Sequence, residues 1–151
     1  MSAPTSVRPV EPADEGVWKT LYAAYRAFYE LDPDADVVDR VWTWLLDDDN
    51  EVQGLVAVRD GLVVGLANHR RFHRPASGTV GTFLDDLFVD PVVRGSGAGR
   101  ALLDHLAGEA GADGRSVVRW ITAEDNRTAR SLYDSVAQAT HWVTYDLAPR
   151  P

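Results

Sequence analysis

Three glycines in five residues, Gly95, Gly97 and Gly99, interrupt the stretch VDPVVRGSGAGRALL (residues 89–103) between an apolar, β-rich run and a run with helical spacing. A glycine cluster at a strand-to-helix junction constrains the fold strongly, because it marks backbone conformations or close approaches that side chains forbid. Residue identity excludes three glycine loops. A G-x-x-x-x-G-K-[ST] loop needs a lysine, and none stands here. The G-x-G-x-x-G fingerprint fails because Gly95 and Gly97 are followed by Arg100, and Gly97 and Gly99 by Leu102. The G-x-S-x-G elbow fails because Arg94 occupies its first position. What remains is R-x-x-G-x-G, Arg94 to Gly99. Glycine N–H groups turned to one point, the positive end of the following helix and the charges of Arg94 and Arg100 make such a junction an anion cradle. A tight turn that glycines merely permit is the competing reading.

The flanking pattern supplies the rest of the fold. Val7 to Val10 is a short extended run. From Asp14, the residues Val17, Leu21, Ala24 and Phe28 recur at helical spacing until Asp32-Pro33, and a second helix covers Val37 to Leu46 with Val38, Val41, Trp42 and Leu45 on one face. The period then changes to that of strands. Leu55 to Arg59 and Leu62 to Asn68 flank Asp60-Gly61, a hairpin signal that demands positive φ. His69 to Gly81 reads as a loop or frayed strand ends around Pro75 and Gly78, Thr82 to Val89 as a strand, and the glycine stretch leads into a helix with Leu102, Leu103, Leu106 and Ala110 inward. Val117 to Thr122 is a strand, Arg127 to Ala137 a helix, and His141 to Leu147 a final strand. The order β-α-α-β-β-β-α-β-α-β predicts a layered α/β fold: a mixed, mostly antiparallel central sheet with helices on both faces, in one domain spanning residues 1–151.

Composition removes several function classes. The chain has 151 residues, of which 45% are hydrophobic, enough for a substantial core. No apolar run reaches the roughly 18 residues of a membrane span, and residues 1–7 lack the basic start and apolar stretch of a secretory leader, so a cytoplasmic protein is expected. Cysteine is absent, which excludes disulfides, thiolate metal sites and an acyl-cysteine intermediate. A net charge of −8 argues against nucleic acid and favours a cationic ligand. No metal site is expected either. His69 and His73 would stand about 13 Å apart on an extended segment. The acidic run from Asp47 to Glu51 lacks the loop glycine of a calcium site. His105 falls on the outer side of its helix, and His141 beside Trp142 serves packing as readily as chemistry.

The stretch FLDDLFVDPVVRGSGAGRALLDHL resembles the acetyl-coenzyme A binding motif of the GNAT-type N-acetyltransferase superfamily. WITAEDNRTARSLYDSVA resembles the strand and helix that follow it, and THWVTYDL looks like the closing strand. The pair of motifs is most similar to the small-amine, diamine and histone-type acetyltransferases. The resemblance implies acetyl transfer from acetyl-CoA to a primary amine within a ternary complex, in a protein that forms a homodimer. It implies that Leu87, Phe88 and Val89 pair with the pantetheine arm like an added strand, with the Val89 N–H polarising the thioester carbonyl. The amides of Arg94, Gly95, Ser96, Gly97, Ala98, Gly99 and Arg100 would hold the pyrophosphate. Asn126 would contact the cofactor, and the Tyr133 hydroxyl would protonate the leaving thiolate.

The chemistry also requires a proton acceptor, because an alkylammonium is not nucleophilic. Asp85 and Asp86 lie in an apolar strand, and strict alternation puts one carboxylate on each face. Asp85 is then the base or ammonium-binding group, since it shares a face with Val89, and a β-bulge would exchange its role with Asp86. An ion pair with an arginine is the bland reading of either. Tyr133 shares a helical face with Ala129, Leu132 and Val136, where a tyrosine often simply packs, and Asn126 suits a helix N-cap. On the acceptor side, Tyr25, Tyr29, Glu30, Trp42 and Trp44 offer aromatic rings beside carboxylates, suited to an ammonium or to packing. Together these point to a small cationic amine: a polyamine, a diamine or an amino-acid-like acceptor. An acyl-CoA-binding sensor without transferase activity and a ligand-independent structural partner are the alternatives.

Overall fold

A computed structural model describes residues 4–151; Met1 to Ala3, the start of the expected domain, lie outside the described residues. The chain divides into two compact units, the first running to Ile121 and the second from Thr122 to Pro151.

The first unit holds one five-stranded sheet, formed by β1 (Ser6–Pro9), β2 (Gln53–Arg59), β3 (Leu62–Arg74), β4 (Thr79–Val89) and β5 (Val118–Arg119), adjacent in that order. All pairings are antiparallel except the last, as the mixed-sheet expectation requires. Asp60 and Gly61 make the tight β2–β3 turn with φ of 52° and 75°, the left-handed geometry expected of a two-residue hairpin. β3 and β4 are longer than expected. Of the two readings of His69 to Gly81, a loop or frayed strand ends, the second is nearer: most of it is strand on either side of a turn at Pro75 to Gly78. Its polar residues hid the period because one row faces solvent.

Helices α1 (Glu15–Phe28) and α2 (Ala35–Leu46) cover one face of the sheet. Asp34 caps α2 by accepting from the Val37 N–H. Trp18, Leu21, Tyr22, Val38, Val41 and Trp42 pack there against Val56, Leu66 and Phe88. Trp18 stacks on Tyr22 at 4.7 Å and lies tilted against Trp42 at 5.3 Å, which makes this an aromatic layer. Helix α3 (Ala98–Ala112) covers the opposite face through Ala98, Leu102, Leu103, Leu106 and Ala110.

β5 is much shorter than the expected Val117 to Thr122. It pairs with β4 only at Thr82↔Val118 and Phe83↔Arg119, so beyond Phe83 the outer edge of β4 has no strand partner among the described residues.

In the second unit, α4 (Arg127–Val136) is capped by Asn126, whose side chain accepts from the Ala129 N–H. The final strand expected at His141 to Leu147 does not form. The segment has no ladder partner, and Trp142, Val143, Tyr145 and Leu147 stay exposed, because alternating apolar residues make a strand only when an edge accepts them. No helix among the described residues is long and apolar enough to cross a membrane.

Candidate active site

The glycine stretch forms a cradle at the amino end of α3. Gly95 and Gly97 have φ of 83° and 89°, a conformation that disfavours any side chain, and a Cβ at either would meet no protein atom within 4 Å. The space above them is open. A short 3-10 turn, Pro91–Val93, enters the cradle and is capped by Asp90. It engages two of the expected donors: the Arg94 N–H bonds Pro91 O at 3.4 Å and the Ser96 N–H bonds Val93 O at 3.2 Å. The N–H groups of Gly95, Gly97, Ala98, Gly99 and Arg100 take no acceptor among the described residues, as the first turn of a helix requires. The Ser96 hydroxyl is buried and also unpartnered. Free donors at a helix N-terminus fit a diphosphate.

Beside the cradle runs the unpaired edge of β4. The Asp90 N–H bonds Val64 O at 2.8 Å, which sets the alternation of the antiparallel ladder. Val64–Asp90, Leu66–Phe88 and Asn68–Asp86 are its hydrogen-bonded pairs, so Leu87 and Val89 turn their N–H and C=O groups outward. The Phe88 backbone, expected to reach the same ligand, is directed to β3 instead, and its side chain is buried against α1.

The carboxylates lie differently from strict alternation. Asn68 pairs with Asp86 and His69 with Leu84, leaving Asp85 as the extra residue of a β-bulge. Leu84 and His69 are buried, while both carboxylates act on Tyr22 of α1. The bulge therefore overturns the expected placement of one carboxylate on each face. Their partners differ in charge. The Asp85 carboxylate accepts from Arg70 Nε at 3.2 and 3.1 Å, an ion pair beneath which the guanidinium also lies 4.8 Å from the Phe83 ring. Burial pushes the Asp85 carboxyl above its ordinary value, against the pull of Arg70. Asp86 has only neutral partners: Tyr22 Oη and Asn68 Nδ2 both reach its Oδ2 at 3.0 Å, the Tyr25 phenol hydrogen-bonds the same carboxylate, and no cationic side chain pairs with it among the described residues. Burial, reinforced by the Asp86 charge, raises the phenols of Tyr22 and Tyr25, so both remain neutral.

Sequence reasoning missed Tyr22, Asn68 and Arg70. Asn68 is 1% exposed, and its Oδ1 has no partner. Only the strand register, invisible in a single sequence, sets it opposite Asp86.

Of the expected acceptor-side residues, Trp42 is buried at 3% exposure and donates its indole N–H to Glu15 at 3.1 Å. It is a core residue, which corrects its expected contact with substrate. Tyr29 is partly exposed, 5.0 Å from Tyr25 and 5.1 Å from Phe28. Glu30 follows it with φ of 58° and lies exposed. Tyr133 and Asn126 belong to the second unit. Tyr133 is half-buried on one face of α4 with Ala129, Leu132 and Val136. Asn126 also donates to Thr122 Oγ1 at 3.3 Å. Among the described residues no group of three or more His, Cys, Asp or Glu is arranged to hold a metal ion.

The profile of the acetyltransferase (GNAT) family matches residues 18–137. A D-amino-acid N-acetyltransferase of Saccharomyces cerevisiae is 27% identical over 141 residues, covering 92% of this chain and 88% of that protein. An aminoglycoside N(6')-acetyltransferase of Stenotrophomonas maltophilia is 38% identical over 105 residues, 68% of this chain and 64% of that one. Among solved structures, an aminoglycoside N-acetyltransferase in complex with CoA superposes with a TM-score of 0.82 at 17% identity, covering 98% of this chain and 97% of that one.

Proposed function

Because the chain belongs to the acetyltransferase (GNAT) family, we propose that it moves the acetyl group of acetyl-CoA to the nitrogen of a primary amine by direct attack in a ternary complex. One observation carries this reading: free N–H groups of the cradle lie next to an unpaired strand edge that ends beside an uncompensated carboxylate. Gly95, Gly97, Ala98, Gly99 and Arg100 supply donors for the pyrophosphate. Leu87 and Val89 supply the outward groups of an open edge for the pantetheine amides. Acetyl-CoA, when bound, provides an activated acyl carbon and a thiolate leaving group.

Asp86 is the residue we assign to the ammonium. Tyr22, Asn68 and Tyr25 hold the carboxylate in place, and with no cationic partner among the described residues it is the group left to accept from the amine and take its proton. Asp85, neutralised by Arg70, stiffens the bulge that presents Asp86. The amine lone pair then forms the C–N bond as the C–S pair leaves on sulfur; the nitrogen gives up its second proton to water, leaving an acetamide, and the thiolate becomes a thiol on taking a proton. Tyr133 is assigned to protonate that sulfur, and Asn126 to the cofactor, on the strength of the motif they occupy.

Incubating the protein with acetyl-CoA and a panel of primary amines, with detection of free thiol, tests the proposal. Amine-dependent thiol release supports it. Release no faster than in buffer with every amine, together with no binding of acetyl-CoA, sinks it.

A further inference from the structure

Arg94 was expected to serve the diphosphate, yet its side chain goes elsewhere. The guanidinium lies 5.5 Å from the ring centroids of both Phe28, on α1, and Phe88, on β4. It makes no hydrogen bond or ion pair among the described residues. Phe88 stands two residues along the strand from Asp86 on the same face, about 7 Å away at the rise of an extended chain. Tyr25 closes the interval, with its ring 6.1 Å from Phe88 and its phenol under the influence of Asp86. One aromatic floor thus carries an uncompensated negative group at one end and an uncompensated positive group at the other.

Resting on the acetyl-transfer reading, we propose that the acceptor is an α-amino acid or a close analogue, its ammonium on Asp86 and its carboxylate on Arg94. A guanidinium packed against aromatic rings without a hydrogen-bond partner keeps its N–H groups available, and its planar fork can take a carboxylate through two parallel hydrogen bonds. Charge selects between acceptors. A diamine seated with one nitrogen at Asp86 brings its second cation toward Arg94, where like charges repel. An acceptor with a nearby anion gains a charge-assisted contact in the same place. The side chain of the amino acid then lies against Tyr25, Phe28 and Tyr29, of which Phe28 is 50% exposed and open to contact.

Matched acceptors test this: phenylalanine against phenethylamine, and tyrosine against tyramine, with both enantiomers of each amino acid, measured by thiol release. The acid of each pair should have the higher kcat/KM, by about tenfold or more for one charged hydrogen-bonded contact. Arg94→Gln should bring the acid-to-amine ratio near one through KM, and Arg94→Lys should restore part of it. Acetyl-CoA affinity, titrated separately, should change by less than about twofold, since the contact lies on the acceptor. Equal or better turnover of the amines by the unaltered protein overturns the inference and leaves acetyl transfer intact. So does a Gln variant that loses acetyl-CoA affinity while keeping its acid preference, because Arg94 then serves the phosphates. Absence of thiol release with every acceptor, with no acetyl-CoA binding, overturns both readings.

Discussion

Gly97→Ala separates what the cradle does for the backbone from what it does for a ligand. At φ of 89° an alanine is strained by about 1–2 kcal/mol. Its added methyl meets nothing within 4 Å, so the protein itself adds no clash. Gly61→Ala is the matched control, with φ of 75°, the same empty surroundings and a place in the β2–β3 turn. Each variant should lower the melting temperature by about 2–8 °C without ligand, taking about 2–4 °C per kcal/mol for a chain of this size. They should part company when acetyl-CoA is added. At about 100 times its dissociation constant the ligand adds about 2.7 kcal/mol to the unaltered protein and to Gly61→Ala. A methyl in the space meant for a phosphate should weaken binding at least tenfold, so the same concentration stabilises Gly97→Ala by about 1.4 kcal/mol or less. Thermal unfolding with and without ligand, with direct titration of affinity, reads both quantities. Equal ligand-induced stabilisation of the two variants would refute the assignment of a phosphate to the cradle.

Asp86→Asn should lower turnover by about a hundredfold or more, as loss of a general base does, with little change in acetyl-CoA affinity. Asp85→Asn should cost about tenfold or less in rate and under about 1 kcal/mol in stability, since its ion pair is partly exposed; the reverse ranking would return the role to Asp85. Tyr133→Phe should reduce kcat more than cofactor affinity, and equal losses in both would mark the residue as packing. His69 is buried with Nδ1 unpartnered, and burial lowers its pKa from 6.5. The unfolded chain therefore binds more protons, and stability should fall as pH drops below about 6.5 toward the depressed folded value. His69→Gln should flatten that slope in denaturant titrations, and an unchanged slope would assign it to other groups.

Much of this was legible in the sequence because it depends on local chemistry. The β2–β3 turn follows from Asp60-Gly61, and the cradle from glycines that must adopt positive φ. Helices α1 to α4 follow from apolar spacing, with Asn126 as the capping side chain of α4. What escaped depends on neighbours. A bulge is a property of two strands, so nothing in LDDLFV alone says that Asp85 and Asp86 turn to one side. Trp42 has the same composition signal whether it lines a pocket or fills a core, and only its ring contact with Trp18 decides. The segment from His141 to Leu147 has the residues of a strand, but hydrogen-bond partners are supplied by an edge and not by the segment. Asn68 was invisible for the same reason, since its importance is its register against Asp86.

The brevity of β5 has a further consequence. Two paired positions leave a long stretch of β4 with bare main-chain donors and acceptors, the kind of surface that soluble proteins otherwise hide because any passing strand can latch onto it. A molecule whose own amides zip along that border would quench its stickiness, so acetyl-CoA bound there would also keep strands of other molecules off the edge.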